Sequence, residues 1–371
     1  MTGVVEAMHL NIANTADVAN IARPARRATN GITRLVYGSI RGITRLVGGG
    51  LDAVLARTAA RLGEGSSTPG REALLAALNG VLGDHLAASG NPLAIPMRLR
   101  RDGQPLDAAA LSRPSGKVAV LAHGLCMNDL QWNRNGHDHG AALARDLGYT
   151  PVYLHYNSGL HVSTNGREFA GLLESLVRQW PVPVDEIVIL GHSMGGLVAR
   201  SACHYGRLEG HDWPRLLKRL VFLGTPHHGS PLERGGNWVD AVLGTTPYTV
   251  PLARLGKIRS AGITDQRHGN LLDEDWAGRD RFERSGDPRR PVPLPEGVEC
   301  YAMAAKAREG LGGSWPGDGF VPADSALGHH EEPVLSLSLP ESRRWVLHGT
   351  HHFDLLGQTE AYEKIREWLA A

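Results

Sequence analysis

Cysteine is scarce in this chain: three residues among 371, at positions 126, 203 and 300. They lie far apart, in no metal-binding spacing and no disulfide framework. That excludes a cysteine-built zinc site and a disulfide scaffold, and it fits a reducing compartment. An excess of one charge is missing too. The 39 Lys and Arg against 38 Asp and Glu leave a formal net charge of +1, which gives no global pull toward nucleic acid or an anionic membrane face. No run of about 18 apolar residues occurs, so no membrane span is expected. The N-terminus lacks a basic start followed by a continuous apolar core, so no secretory signal is expected and the default is a cytoplasmic, soluble protein. What remains is an ordinary globular balance, 42% apolar and 21% charged. The length suits one large domain plus an accessory segment.

The most informative stretch is residues 186–200. Residues 187–190 form a short, wholly apolar, β-branched run, the pattern of a buried parallel strand. Gly191-His192-Ser193-Met194-Gly195 follows at once, and Leu197, Val198 and Ser201 then recur with helical spacing. This predicts a strand, a sharp turn and a helix with a serine at the apex. The glycines remove Cβ atoms where strand and helix backbones crowd together. Such a turn lifts the Ser193 hydroxyl clear of the sheet and aims a helix N-terminus at the place where negative charge would develop.

Around this turn the chain reads in order. The segment Gly31-Ile-Thr-Arg-Leu-Val36 recurs as Gly42-Ile-Thr-Arg-Leu-Val47. That spacing is about three helical turns, so both copies share one apolar face. Packing on the main domain or on another subunit is expected, with a membrane-surface helix as the alternative. A Gly/Ser/Thr/Pro linker and a second amphipathic helix over 71–89 complete an N-terminal helical segment, 1–90. The main domain is expected at 91–371. It opens with a hairpin of 96–100 and 106–110 and has strands near 117–122, 150–156, 219–223, 299–305 and 344–347. Its helices are expected near 141–147, 165–179 (capped by Asn165) and 358–370. Strands alternating with helices imply an α/β fold, a mostly parallel sheet with helices on both faces, with functional residues at strand carboxyl ends. Residues 231–297, partly apolar, break the alternation and read as a cap or lid insertion.

A serine hydroxyl is a poor nucleophile without a base, an orienting carboxylate and donors for the oxyanion. Each is offered after a strand: Asp318 within Gly317-Asp318-Gly319-Phe320-Val321-Pro322, and His351-His352 within His348-Gly-Thr-His-His-Phe-Asp354. Together with His123-Gly124-Leu125 and Gly224-Thr-Pro-His-His-Gly-Ser230, this order of motifs over residues 117–371 resembles the α/β-hydrolase superfamily. It looks most like the bacterial lipases and esterases and the lipase-like domain of GPI inositol-deacylases. The resemblance implies Ser193 as nucleophile, Asp318 as acid and His352 as base, with the backbone N–H groups of Leu125 and Met194 as the oxyanion hole. His351 is the neighbouring alternative for the base, and Asp324 lies close to Asp318. His123, His192, His227 and His228 read as packing or loop-shaping residues, and Cys126 as a buried inert thiol. Residues 1–90 match nothing in the resemblance.

The expected function is a serine hydrolase cleaving carboxylic esters, with an acyltransferase on the same fold as the alternative and an inactive binding module as a third. Its partner is a small ester or lipid, not nucleic acid. Peripheral membrane contact or a homo-oligomer through the N-terminal helix stays open. His137-Asp138-His139 and His329-His330-Glu331-Glu332 are rich in ligand atoms but lack metal-site spacing. Asp354 and Gln358 occupy positions where related lipases place calcium oxygens, without a convincing further carboxylate. No cofactor and no metal is expected.

Overall fold

The computed structural model describes residues 69–230, 259–280, 286–287, 289–307 and 317–370. The repeat at 31–47 and residues 231–258 and 281–285 of the expected cap lie outside these. The chain divides after Gly65, and the compact unit Ser66–Ala371 holds all the described residues.

The first described helix is α1 (Pro69–Ala88). Instead of a surface helix with one apolar stripe, it is buried without a break from Ala76 to Gly83. Asn79, fully buried, donates through Nδ2 to the carbonyls of Leu75 (2.9 Å) and Leu93 (2.8 Å) and accepts from the Ile95 N–H at 2.9 Å. A buried amide with its hydrogen bonds made is compatible with a core; one without is not. Gly80 lets the helix backbone press on Cys126, since a Cβ there would stand 2.2 Å from the Cys126 Sγ.

Beyond α1 come β1 (Arg98–Arg101) and β2 (Gln104–Pro105), joined through Asp102 and Gly103, both at positive φ. A hairpin is expected here, but its second arm is shorter and lies at 104–105, ahead of the expected 106–110. The chain continues through β3 (Lys117–Ala122), α2 (His139–Leu147), β4 (Thr150–His155), α3 (Val162–Gln179), β5 (Glu186–His192), α4 (Met194–Leu208) and β6 (Leu217–Leu223). After the insertion come α5 (Ala261–Asp265), β7 (Glu299–Lys306), α6 (Ala323–Leu327), β8 (Arg344–His348) and α7 (Thr359–Ala370). The sheet has eight strands in the order β2-β1-β4-β3-β5-β6-β7-β8. The β1 pairings are antiparallel and all others parallel.

Side chains of alternate parity leave opposite faces of the sheet. On one face Leu121, Val188, Leu190, Val221, Leu223 and Met303 join Leu143 of α2 and Ile365 and Leu369 of α7 in a single core. On the other, Val120, Ile189, Leu220 and Phe222 are equally buried, and α3 and α4 cover that side. Each such side chain contributes roughly 1.5–3 kcal/mol of burial, and β5 is buried on both faces. The start of α3 differs from expectation. Its N-cap is His161 without a side-chain cap, and Asn165, inside the helix, donates to the Asn157 carbonyl. Asp265 of α5 supplies the cap, accepting the Val162 N–H at 2.8 Å.

A buried ion network ties α1 to the sheet edge. Arg100 bridges Glu72 (2.9 Å) and Asp129 (3.2 Å), and Asp129 also meets His155 at 3.0 Å. Burial raises the Asp129 carboxyl, but His155 and Arg100 outweigh it and hold it below the usual range.

Replacing Asn79 by Leu leaves the Leu93 carbonyl and the Ile95 N–H without partners. We expect a loss of about 1–3 kcal/mol, read as a lower urea midpoint at unchanged m-value. An unchanged midpoint would refute the role given to this amide.

Candidate active site

At the end of β5 the backbone turns through Ser193 at φ 53° and ψ −125°, a region that costs a non-glycine residue about 1–3 kcal/mol. The surroundings hold it there. The Ser193 N–H donates to the Leu223 carbonyl at 2.8 Å, and the Gly196 N–H returns to the Ser193 carbonyl at 3.1 Å. Gly195 is required by close approach: a Cβ would stand 2.2 Å from the Ala122 carbonyl oxygen and 2.6 Å from that of His123. The turn therefore draws the end of β3 against the start of α4. A Cβ on Gly124 would lie 3.0 Å from the Ser193 Cβ, so the loop after β3 faces the serine.

That loop is fixed by its own bonds. The His123 Nδ1–H donates to the Gly124 carbonyl at 2.8 Å, the Tyr156 hydroxyl to the His123 carbonyl at 2.8 Å, and the Cys126 N–H to Ser158 Oγ at 3.0 Å. Burial pushes the His123 imidazole down to about 3, so it is neutral. Burial also pushes the Cys126 thiol up to about 12, as befits an inert thiol. The Leu125 N–H has no acceptor among the described residues. Met194 opens α4, so its N–H has no acceptor within the helix.

From the far end of the sheet, the loops after β7 and β8 bring a carboxylate and an imidazole together. The His352 Nδ1–H donates to Asp318 Oδ2 at 2.6 Å, and both side chains are buried. The other oxygen, Oδ1, accepts from the N–H groups of Phe320 (2.8 Å) and Val321 (2.7 Å). The glycine-flanked loop thus aims the carboxylate, and the His352 N–H donates back to the Asp318 carbonyl at 3.2 Å. His192, directly before Ser193, lies with its ring 4.7 Å from that of His352 and donates from Nε2 to the His352 carbonyl at 3.3 Å. Burial holds His192 well below the ordinary histidine range, so it acts as a neutral donor. Among the described residues no hydrogen bond joins the Ser193 hydroxyl to His352 Nε2.

The alternatives stand apart. The His351 side chain is exposed, its N–H held by the Asp354 carboxylate at 2.9 Å. Asp324 is exposed and lies 3.7 Å from His329. Asp354 is spent as a cap. His137 and His139 bond to each other, and His139 Nε2 donates to the Leu355 carbonyl.

Sequence reasoning gave no role to Arg200 of α4. It is buried, donates to the Val292 carbonyl at 2.6 Å, and lies 3.3 Å from His227 Nδ1. Its signal was a charge inside the run Leu197-Val198-Ala199-Arg200-Ser201-Ala202, whose small and apolar neighbours mark a buried helix face.

Residues 168–286 match the family described as a PGAP1-like alpha/beta domain; the span includes Ser193 and excludes Asp318 and His352. Similar folds are found in the mature form of a Bacillus licheniformis lipase (18% identity, 74% of this chain and 97% of that one, TM-score 0.43). Lipase 1 from Pelosinus fermentans (15%, 68% and 98%, TM-score 0.43) and an esterase from Pyrococcus furiosus (13%, 69% and 81%, TM-score 0.40) are others. No curated protein matches the chain. The strand order, with its antiparallel edge, is that of an α/β-hydrolase fold, and the family match covers only residues 168–286 of the chain. Among the described residues no helix is long and apolar enough to cross a membrane.

A methyl group at position 195 would meet two backbone oxygens that cannot rotate away. Gly195→Ala should therefore cost about 1–3 kcal/mol, measured by urea unfolding. A variant as stable as the parent would mean that the turn relaxes freely.

Proposed function

We propose that this chain hydrolyses carboxylic esters through an acyl-enzyme on Ser193. The observation that carries the reading is the buried Asp318–His352 hydrogen bond beside the strained turn of Ser193. In this scheme Ser193 Oγ attacks the ester carbonyl carbon while His352 Nε2 takes the hydroxyl proton. The carbonyl oxygen becomes an oxyanion facing the N–H groups of Leu125 and Met194. The C–O bond to the leaving group then breaks, and His352 returns its proton to the departing alkoxide. Water attacks the acyl-enzyme by the same route, its proton passing to His352 and then to Ser193 Oγ as the acid leaves. Asp318 keeps the His352 Nδ1–H in place and stabilises the imidazolium in each half-reaction.

Acting as a unit, these residues should give non-additive losses. Ser193→Ala or His352→Ala alone should lower kcat by on the order of 10⁴-fold or more, and the double variant should add little. His351→Ala should be mild; a severe loss there together with a mild His352→Ala would reverse the assignment of the base. Labelling of Ser193 by a fluorophosphonate separates an active site from an inactive binding module. Product analysis with added alcohols separates hydrolysis from acyl transfer.

The substrate class follows from the composition of the insertion, which carries Trp238, Leu243, Tyr248, Val250 and Leu252. Each methylene buried against such residues contributes up to about 0.8 kcal/mol, so a few carbons change kcat/KM by tens-fold. For p-nitrophenyl esters at fixed pH, rates should rise from acetyl to medium acyl chains. A maximum at acetate with loss beyond butyrate would indicate a small closed pocket instead.

A further inference from the structure

On the sheet side that carries α4 lies a cavity of about 420 Å³. Neither Ser193, Asp318 nor His352 lines it. Its walls come from α4, from the loop after β6, from the proline-rich run at 291–295 and from residues 333–340. A volume of this size is in the range of small-molecule sites. Much of the wall is apolar, with Leu271, Leu294 and Leu337 facing it.

Two charges in the wall, Arg200 and Asp275, have no opposite charge bonded to them among the described residues, and only Asp275 has its hydrogen bonds made. Arg200 is 5% exposed, and among the described residues no carboxylate pairs with it. One Nη donates to the Val292 carbonyl and the other faces His227 Nδ1, while Nε, buried, has no partner. Burial, the Arg200 charge and the nearby His228 keep His227 neutral. If its Nδ1 accepts from Arg200, its Nε2 carries the hydrogen, and that nitrogen has no partner either. The other arginines of the wall are matched: Arg289 lies on Asp287 with Nη2 at 2.6 Å, Arg343 bonds Glu299, and Arg290 lies 3.8 Å from Glu274. The carboxylate in the wall, Asp275, accepts the N–H groups of Leu271 and Leu272 through Oδ2 and that of Arg290 through Oδ1. Tethering the 291–295 run to α4 needs one donor; it does not need a permanent buried charge, which is costly without a counter-charge.

We propose that this cavity binds an aliphatic carboxylate, its head on the Arg200 guanidinium and its chain along Leu271, Leu294 and Leu337. One uncompensated guanidinium matches a single negative charge, which favours a carboxylate over a phosphate dianion. The planar fork of arginine suits a carboxylate, and a bond between two ions is stronger than one between neutral groups. The apolar walls select an anion with an alkyl chain over a bare inorganic ion. The site is independent of the chemistry proposed at Ser193.

The test is isothermal titration calorimetry of the full chain with octanoate, octanamide, octyl phosphate and inorganic phosphate. Octanoate should bind saturably with one site, octanamide and inorganic phosphate should not, and octyl phosphate should bind more weakly than octanoate. Arg200→Gln and Leu294→Trp should each weaken octanoate about tenfold or more, with circular dichroism reporting folding. Should Arg200→Gln fail to fold, Leu294→Trp decides, because it keeps the guanidinium and its tether and fills the space. No heat with octanoate, equal affinity for octanamide, or binding that survives Leu294→Trp would overturn the proposal; in the last case the anion sits elsewhere, at Ser193 for instance. Octanoate binding without any esterase activity would count against the hydrolase reading alone, and esterase activity without octanoate binding against this one alone.

Discussion

The left-handed backbone at Ser193 is the constraint on which the rest of the site depends. A serine adopts it at a cost of about 1–3 kcal/mol, so something must hold it. The holding force is the position of β5 between β3 and β6, buried on both faces, with Gly195 pressed on the carbonyls that end β3. Because that contact is so close, the loop after β3 is carried up against Ser193. The glycines permit the approach; the buried sheet makes it stay.

The histidines sort themselves by what surrounds them. Burial, with neighbouring positive charges adding to it, drives His123, His192 and His227 far below the ordinary range, and the first two then serve as neutral donors to carbonyls. His352 is equally buried but has a carboxylate on Nδ1, and that carboxylate is itself oriented by two backbone N–H groups. What distinguishes His352 from its buried neighbours is therefore the carboxylate that fixes which ring nitrogen carries the hydrogen.

Strand positions were legible in the sequence because parallel strands read as short apolar runs; β3, β5, β6, β7 and β8 fall within a residue or two of expectation. Ser193 and the loops bearing Asp318 and His352 were legible as strand ends, but the contact between the two loops is a tertiary fact with no local signal. The features that were missed share one cause: a remote partner. Asn165 looked like a cap because nothing local showed that Asp265, far along the chain, takes that part. The helix over 71–89 looked amphipathic because its leucines are conspicuous, whereas Asn79, Gly80 and Gly83 carry the contacts that bury its other side. Arg200 drew no reading from the sequence because its partners, Val292 and His227, are equally remote.

The contact between Gly80 and Cys126 gives the molecule an internal reporter. The thiol lies behind α1, with burial raising it to about 12, and its residue is part of the loop that faces Ser193. A thiol reagent reaches it more readily when α1 lifts away from this contact. The rate of its modification therefore measures how often the helix leaves its seat, on the scale of local opening free energies. One cysteine with no chemistry of its own thereby couples an observable rate to the integrity of the loop beside the serine.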